Sequence, residues 1–182
     1  MNVLKTQSKK EFFIKKLLPF SLAILIFVVD HITKYLITKN IPPYTIAASY
    51  FGDLFRIVHV VNTGGAFSMG ADMPQNIRSL TLSFVPLVVI VLIIVLYFRN
   101  KDFSQLQRWC ICGIIGGGLG NIYDRIFSRG VVDFIDIKFF GIFGLERWPT
   151  FNIADAGIVV CGIILIISFI GLMIKERNKE EK

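Results

Sequence analysis

The sequence has few of the residues from which disulfide frameworks and metal sites are built. It contains three cysteines and two histidines, and all three cysteines lie inside apolar runs. Neither histidine lies near a cysteine pair, so the spacing argues against a zinc site and the count argues against a disulfide-stapled fold. We therefore expect no metal ion and no other cofactor. The cysteines are Cys110, Cys112 and Cys161, and the histidines are His31 and His59.

Charged residues are also scarce. They make up 18% of the chain, and hydrophobic residues make up 54%. In soluble domains, charged residues average about 25% and apolar residues about 45–50%. This composition is not that of an ordinary soluble domain, and it excludes a disordered chain, a collagen and a coiled coil. The net charge of +7 does not indicate nucleic acid as a partner, because the basic residues mainly flank apolar runs, a pattern typical of membrane topology.

Four apolar stretches approach the length of about 20 residues that a membrane-spanning helix needs. The first has a basic start like a signal peptide, but no small-residue cleavage site follows its apolar core, so we interpret it as a retained anchor. The third contains Gly116 and Gly120, a small-xxx-small pair that lets helices approach closely. We expect one integral-membrane domain over residues 1–182, all-α in the membrane, with transmembrane helices at about 17–35, 79–98, 109–124 and 155–174.

The distribution of lysine and arginine predicts the orientation of these helices. The N-terminal tail, the loop 99–108 and the C-terminal tail hold 12 basic residues in 34 positions, and the remaining 8 are spread over the other side. The dense side is expected in the cytoplasm. Both termini are then inside, and two outer segments, at about 36–78 and 125–152, face the other side.

The outer segments contain signals for strands. Residues 54–61 are rich in β-branched side chains and are followed by a turn signal at 62–65, after which 66–69 is a candidate return strand. Residues 131–137 are a second strand candidate. The aromatic-rich segment 139–148 is expected to be a short helix or loop at the membrane interface, where tryptophan is favoured.

Three carboxylates lie where three of the helices meet the outer membrane boundary. The first and third helices run outward and end near Asp30 and Asp124, and the fourth begins outside near Asp155. Ionisable groups in membrane helices are costly and usually functional. A simpler interpretation stays open for single residues, because Asp155 fits a helix N-cap and Asp124 fits an ion pair with Arg125. The common level of all three favours a functional site.

Two of these carboxylates follow an asparagine by three residues. Asn121 precedes Asp124, and Asn152 precedes Asp155. Residues three apart share one face of a helix, so two helices would each bring an Asn/Asp pair to the same rim. Two carboxylates in one site titrate apart, so one can be protonated while the other is ionised. An aspartic protease requires this, because one carboxylate activates water and the other donates a hydrogen bond to the substrate carbonyl.

Five short motifs follow one another along the chain. They are DHITK at 30–34, NTGGAF at 62–67, GLGNIYDR at 118–125, VVDFID at 131–136 and FNIAD at 151–155. In this order and spacing they resemble the lipoprotein signal peptidase family, also called signal peptidase II, of the bacterial cytoplasmic membrane. The resemblance covers about residues 15–175, with one small departure at Gly65, where the family more often has alanine.

The resemblance implies a bundle of four transmembrane helices with a small extracytoplasmic β-cradle and an interfacial helix or loop. It implies a metal-independent aspartic endopeptidase that removes the signal peptide from diacylglyceryl-modified prolipoproteins and cuts just before the lipidated cysteine. The catalytic pair carries over onto Asp124 and Asp155. The residues implied for substrate binding or for support of the site are Asp30, Lys34, Asn62, Asn121, Arg125, Asp136 and Asn152.

The resemblance also implies partners and a location. The partners are diacylglyceryl prolipoproteins, membrane lipid and cyclic peptide inhibitors of the globomycin type. The location is the bacterial cytoplasmic (inner) membrane, with the active site at its extracytoplasmic face. Asp133 and Asp136 match the outer strand motif, and Asp136 with its neighbour is assigned a structural or substrate-shaping role.

Two other classes of function stay open on the sequence. One is a small transporter or proton-coupled channel that uses Asp30, Asp124 and Asp155 as a relay, but relay carboxylates are expected at several depths and these lie at one level. The other is a membrane scaffold without chemistry, against which the paired Asn-x-x-Asp motifs argue.

The orientation generates a direct test. A reporter fused after Lys182 should be cytoplasmic, and a reporter inserted near Asn40 should be outside, because the basic residues concentrate on the side of the termini. The measurement is the activity of a compartment-dependent reporter at each site. The reverse result at both sites would place the three carboxylates at the cytoplasmic face and contradict the predicted topology.

Overall fold

The computed structural model describes residues 11–64, 74–128 and 130–180, which form four long helices and a four-stranded antiparallel sheet. A short π-helix, Phe13–Leu17, precedes the first long helix. The helices are α1 Phe20–Asn40, α2 Gln75–Arg99, α3 Gln105–Phe127 and α4 Ile153–Glu180. The strands are β1 Ile46–Tyr50, β2 Phe55–Asn62, β3 Val131–Ile142 and β4 Leu145–Arg147.

Each of the four apolar stretches forms a helix that extends beyond its predicted bounds at one or both ends. The ends are fixed by local chemistry that apolarity alone does not report. Ser104 caps α3 by accepting a hydrogen bond from the backbone N–H of Gln107, whose side chain accepts from the N–H of Ser104 in return. Within the described residues, α2 and α4 contain segments long and apolar enough to cross a membrane, Leu80–Arg99 and Ile153–Asn178.

The outward faces of α2 and α4 are apolar. Leu92 of α2 and Ile167 of α4 expose 57% and 62% of their surface, and most of their helical neighbours are similarly exposed. In a soluble helix such side chains face a core, and an outward apolar face is typical of a helix that contacts lipid.

Helix α3 lies in the centre of the bundle and packs against α1, α2 and α4. Its three consecutive glycines each face a different neighbour, because successive residues point about 100° apart around a helix. A Cβ built on Gly116 would lie 2.5 Å from the backbone oxygen of Ala23 in α1, and a Cβ on Gly118 would lie 2.7 Å from Ile90 in α2. Gly117 is similarly close to the backbone of Ala154 in α4. The predicted role of glycine in close helix packing is confirmed.

The sheet has the order β1-β2-β3-β4, and its central pair ends beside the helices. Asn62, the last residue of β2, pairs with Val131, the first residue of β3. The two predicted strands, 54–61 and 131–137, are confirmed, whereas the sequence did not predict β1. The candidate return strand at 66–69 lies outside the described residues.

The prediction of a short helix or loop over 139–148 is wrong. Strand β3 continues to Ile142, and the chain reverses through a tight turn into β4. Two glycines permit this reversal, because Gly141 and Gly144 adopt φ values of +76° and +78°, and the N–H of Gly144 donates to the carbonyl of Gly141. Aromatic content indicated an interfacial segment without specifying its backbone.

An ion-pair cluster holds the outer part of the sheet together. Nε of Arg147 in β4 donates to both carboxylate oxygens of Asp136 in β3, at 2.6 and 2.8 Å. Asp53, in the β1–β2 turn, pairs with Arg56 and Arg147. The hydrogen bond from Arg56 is the main reason that the pKa of Asp53 falls to about 2. The cluster joins three strands at a distance from the helix bundle.

The close approach of α1 and α3 predicts a stability difference between two glycines. Gly116→Ala should lower the free energy of unfolding by about 1–3 kcal/mol, because its methyl group meets the backbone of Ala23 and separates the helices. Gly162→Ala is the matched control, since nothing lies within 4 Å of its Cβ position, and alanine there should be neutral or stabilising by up to about 1 kcal/mol. Thermal unfolding in detergent measures both. Equal effects of the two substitutions would contradict this packing account.

Candidate active site

A buried lysine occupies the centre of the polar cluster at the sheet end of the bundle. Lys34 of α1 is 4% exposed, and its ammonium group has three partners. Nζ lies 2.7 Å from Asp30 Oδ2, 2.6 Å from Asp124 Oδ2 and 3.0 Å from Asn121 Oδ1. A buried charge is tolerated when it is paired and hydrogen-bonded, and these contacts tie α1 to α3.

Asp30 joins the same cation to α4. It is fully buried, and its Oδ1 accepts a hydrogen bond of 2.9 Å from the backbone N–H of Ala154, in the first turn of α4. The first backbone N–H groups of a helix have no partner within the helix. Asp30 of α1 therefore caps the start of α4, in addition to the capping residues of α4 itself.

The second oxygen of Asp124 faces a histidine. Nε2 of His31 lies 3.7 Å from Asp124 Oδ1, and Nδ1 of the same ring lies 2.9 Å from the backbone oxygen of Phe27. The imidazole stacks on the Phe27 ring and meets the edge of Tyr123. Asp124 is therefore held between the Lys34 ammonium and an aromatic-lined histidine.

Two asparagines connect the carboxylates of different elements. Asn121 Nδ2 donates to Asp155 Oδ1 at 2.7 Å, while its Oδ1 accepts from Lys34. Asn152 Nδ2 donates to Asp133 Oδ1 at 2.7 Å and to Asn121 Oδ1 at 3.2 Å. The two predicted Asn-x-x-Asp pairs thus meet in one hydrogen-bonded network.

Asp155 caps its own helix and also faces this network. Its Oδ2 accepts from the backbone N–H of Asn152 at 3.3 Å, and its backbone N–H donates to Asn152 Oδ1 at 2.9 Å. This reciprocal pair is the asparagine counterpart of a capping box. The simple capping interpretation is therefore correct for one oxygen, while Oδ1 points to Asn121 and lies near the cavity described below.

Asp133, near the start of β3, is the other carboxylate at this point. It is 3% exposed, and its Oδ2 accepts from Asn62 Nδ2 at 3.0 Å. Burial, with a smaller contribution from the negative charge of Asp155, raises the pKa of Asp133 to about 7. Its immediate hydrogen-bond donors are neutral amides, so the protonated form persists to a much higher pH than in an exposed aspartate.

A cavity of about 370 Å³ opens beside these two carboxylates. Asp133 and Asp155 both line it, whereas Asp124 does not. Its polar end is formed by side chains of the network and its apolar end by residues of the bundle and of the segment after β4. The lining includes Asn62, Pro86, Gly118, Asn121, Ile122, Arg125, Trp148, Phe151, Ile158 and Val159.

Arg125 brings a positive charge to the cavity. Its guanidinium interacts electrostatically with Asp155, Asp133 and Asp124, and it donates to the backbone oxygen of Asn121 at 3.4 Å. Nε of Arg125 is buried and has no hydrogen-bond partner among the described residues. Arg125 lines the cavity, and a guanidinium there offers hydrogen-bond donors to a bound ligand. Within residues 11–64, 74–128 and 130–180, no cluster of side chains fits a metal ion.

Most of the residues predicted for the site lie in the hydrogen-bond network or line the cavity. The structure brings together Asp30, Lys34, Asn62, Asn121, Asp124, Arg125, Asn152 and Asp155, as the motifs implied. It does not bring Asp136 to the cavity, because that carboxylate is bonded to Arg147 in the outer sheet.

Asp133 was not among the residues predicted for the site. A signal for it was present, because residues three apart on a strand point to opposite faces, so Asp133 and Asp136 cannot both face the helices. Asp133 is the nearer of the two to the start of the strand, where β3 leaves α3.

Comparison with known proteins adds an independent observation. The family model described as Signal peptidase (SPase) II matches residues 22–171. Lipoprotein signal peptidase of Treponema pallidum (strain Nichols) is 52% identical over 157 residues, which are 86% of this chain and 84% of that protein. Lipoprotein signal peptidase of Treponema denticola is 43% identical over 175 residues, 96% and 98% of the two chains. Lipoprotein signal peptidase of Borrelia hermsii is 47% identical over 147 residues, which are 80% of this chain and 84% of that protein.

Two solved structures share the fold. Both are bacterial membrane enzyme structures obtained by the in meso method, at 2.3 and 1.9 Å resolution. The first has a TM-score of 0.74 at 24% identity and covers 90% of this chain and 92% of that chain. The second has a TM-score of 0.70 at 23% identity and covers 83% and 91%.

The raised pKa of Asp133 predicts how stability depends on pH. In the unfolded chain this carboxyl loses its proton near pH 4, whereas in the folded protein it keeps the proton until about pH 7. The contribution of Asp133 to the free energy of unfolding is therefore complete below about pH 4. It is lost as the pH rises to about 7. The unfolding temperature in detergent, followed over this range, should fall less with pH in Asp133→Asn than in the wild type.

The control for this measurement is Asp102→Asn, which alters an exposed carboxylate in the α2–α3 loop. Its unfolding temperature should follow the wild-type dependence on pH. If Asp133→Asn also follows it, Asp133 does not hold a proton in the folded protein at intermediate pH.

Proposed function

This chain belongs to the signal peptidase II family, a peptidase family that cleaves the signal peptides of lipoproteins, and we propose that it does so by aspartic hydrolysis. Its proposed substrates are diacylglyceryl-modified prolipoproteins, cut just before the lipidated cysteine. The observation that carries the mechanism is the presence of two carboxylates, Asp133 and Asp155, on the wall of one cavity. No metal ion or other cofactor takes part in the proposed reaction.

We assign the catalytic pair to Asp133 and Asp155, in place of the Asp124 and Asp155 predicted from sequence. Asp124 is bonded to the Lys34 ammonium at 2.6 Å and does not line the cavity. A carboxylate outside the cavity cannot reach the water or the scissile bond, as general acid–base catalysis requires. Asp133 lines the cavity, and its pKa of about 7 fits a group that carries a proton at neutral pH.

The proposed reaction begins with a water molecule between the two carboxyl groups. Ionised Asp155 takes a proton from this water as its oxygen attacks the carbonyl carbon before the lipidated cysteine. Protonated Asp133 transfers its proton to the carbonyl oxygen, which gives a tetrahedral diol. As the C–N bond breaks, Asp155 returns its proton to the amine nitrogen and Asp133 recovers a proton from the diol. The products are a free carboxyl and a free amine, and both aspartates regain their starting states.

Two neighbouring side chains are suited to hold the peptide. Arg125 lines the cavity, where its guanidinium can donate to a substrate carbonyl. Asn62, on the opposite side, holds Asp133 through its amide. Orientation of the scissile bond against a prepared pair of carboxyl groups supplies much of the rate enhancement in such a site.

The apolar end of the cavity supports a lipidated substrate. Pro86 of α2, Ile122 of α3 and Val159 of α4 line it, so the cavity extends from the carboxylates down between apolar helices. Acyl chains can follow such a groove while the scissile bond stays at the polar end. Cyclic peptide inhibitors of the globomycin type, as substrate mimics, would occupy the same space.

The proposed location is the bacterial cytoplasmic membrane, with four spans, both termini inside and the site at the outer face. The carboxylates lie at one end of the bundle, at the level of the sheet, and not at several depths as a proton relay would need. At the other end of the sheet, Phe51 and Phe143 in the turns are exposed by 83% and 91%, and Phe140 near the end of β3 by 66%. Aromatic side chains are favoured at the membrane interface, which supports contact of this hairpin end with the outer leaflet.

Substitutions of single aspartates test the catalytic pair. Asp133→Asn and Asp155→Asn should each lower kcat for a lipidated prolipoprotein by at least about 10³-fold, since asparagine cannot accept or release the proton. Their double variant should be hardly worse than either single one, because the two groups act as a unit. Asp124→Asn should lower kcat by only about 10-fold, the size of a loss outside the reacting groups. The measurement is cleavage of purified precursor in detergent or lipid.

Asp102→Asn is the matched control and should have wild-type activity, because this carboxylate is exposed in the α2–α3 loop. Folding of each variant is checked by its unfolding temperature. Wild-type cleavage by a folded Asp133→Asn, together with loss of cleavage in Asp124→Asn, would return the pair to the residues predicted from sequence.

Lipid modification of the substrate is a separate prediction. The precursor that carries diacylglycerol should be cleaved at least about 100-fold faster than the unmodified precursor, because burial of acyl chains contributes about 0.8 kcal/mol per CH₂ group. The two precursors are compared at equal concentration with the same enzyme. Equal rates would show that the apolar end of the cavity does not select for lipid.

A further inference from the structure

We propose that Lys34 is a positioning residue that fixes the orientation of the Asn121 amide and thereby provides Asp155 with a hydrogen-bond donor. The inference rests on the proposed function, in which Asp155 takes the proton of the attacking water. It concerns a side chain that does not line the cavity and whose hydrogen bonds reach the reacting groups only through Asn121.

The ammonium group of lysine can donate hydrogen bonds and cannot accept them. Lys34 donates hydrogen bonds to Asp124 Oδ2 and Asn121 Oδ1, and it forms an ion pair with Asp30 Oδ2 at 2.7 Å. The asparagine atom that faces it must therefore be the carbonyl oxygen. A nitrogen in that place would set two donors against each other in a buried site.

The orientation of one end of the amide determines the other. With Oδ1 of Asn121 turned toward Lys34, Nδ2 points toward Asp155 and donates to Oδ1 at 2.7 Å. If the amide were reversed, its oxygen would face the Asp155 carboxylate, and its nitrogen would face both the ammonium and the Asn152 Nδ2 group, now 3.2 Å from Asn121 Oδ1. The reversed amide would lose three favourable contacts and gain repulsive ones.

The second asparagine does not need the lysine. Oδ1 of Asn152 accepts from the backbone N–H of Asp155 at 2.9 Å, so the start of α4 fixes its orientation. Its Nδ2 then points to Asp133 at 2.7 Å. Asp155 thus accepts from the amide of Asn121 and Asp133 from that of Asn152, and these two amides are oriented by different means. Asp133 also accepts from Asn62. Only the donor to Asp155 depends on a residue from α1.

Charge explains why a lysine can serve this purpose in a buried place. Asp30 and Asp124 flank Nζ at 2.7 and 2.6 Å, so the cation is more than neutralised. Removal of Lys34 alone would leave two buried carboxylates unpaired, which is destabilising by itself. The test therefore starts from Asp124→Asn, in which removal of Lys34 leaves one unpaired carboxylate and restores the net charge of the wild-type trio.

The experiment is a double-mutant cycle in the Asp124→Asn background, with kcat and KM measured on a diacylglyceryl prolipoprotein. The four proteins are Asp124→Asn alone, with Lys34→Met, with Asn121→Ala, and with both. Lys34→Met should lower kcat by roughly 100-fold, as losses in the support of a site do, with KM changed by less than about 3-fold because Lys34 does not line the cavity. In the Asn121→Ala protein, the same substitution should lower kcat further by less than about 3-fold.

Additive effects of Lys34→Met and Asn121→Ala would overturn the proposal, because the lysine would then act by a route other than the amide. So would an unchanged kcat in Lys34→Met. Lys39→Met, which alters an exposed lysine on the same helix, is the matched control and should leave kcat and KM within about 2-fold of the wild type.

A second variant covers a failure of the lysine variants to fold. Asn121→Asp, in an otherwise wild-type chain, keeps the shape and the oxygen that faces Lys34 but has no N–H to offer to Asp155. It should lower kcat by at least about 100-fold, and wild-type activity in this protein would overturn the proposal.

Failure of the proposed function gives different results in the same assay. If the wild type does not cleave the precursor, or if Asp133→Asn cleaves it normally, the catalytic assignment fails and this inference fails with it. If the wild type cleaves, Asp133→Asn does not, and the cycle is additive, only the role of Lys34 is overturned.

Discussion

Lys34 carries a positive charge into the interior of the helix bundle, where a charge must be paired to be tolerated. Its two carboxylate partners come from α1 and α3, and Asp30 also caps the first turn of α4. The same cation therefore aligns three helices at one end of the bundle. The glycines of α3 make this arrangement possible, because they allow α1, α2 and α4 to approach the central helix closely enough for short side chains to meet.

Four aspartates lie in this small region, and their surroundings separate them into different chemical roles. Asp30 and Asp124 are paired with the Lys34 ammonium at 2.7 and 2.6 Å. Asp155 divides its oxygens between the start of α4 and the Asn121 amide. Asp133 receives only neutral amide donors in a buried place, and its pKa rises to about 7. Different environments for identical side chains are what acid–base catalysis near neutral pH requires.

Local patterns in the sequence predicted the parts of this structure that depend on local chemistry. Apolar runs and turn signals predicted the four helices and the paired strands β2 and β3, and the positions of Asp30, Asp124 and Asp155 predicted that carboxylates converge at one end. The choice between Asp124 and Asp133 depends on the reach of Lys34 across 90 residues of chain, which no local pattern reports. The hairpin after β3 was missed because aromatic composition does not distinguish a helix from a strand, whereas the turn depends on Gly141 and Gly144.

The central proposal is that Asp133 holds a proton in the folded enzyme near neutral pH. Infrared difference spectroscopy on protein labelled with ¹³C-aspartate measures this, because a protonated carboxyl has a C=O stretch that an ionised one lacks. At about pH 6, between the usual pKa of aspartate and the pKa of about 7 for Asp133, the wild type should show such a band. The band should be absent from Asp133→Asn and present in Asp124→Asn. A band that persists in Asp133→Asn and disappears in Asp124→Asn would contradict the account.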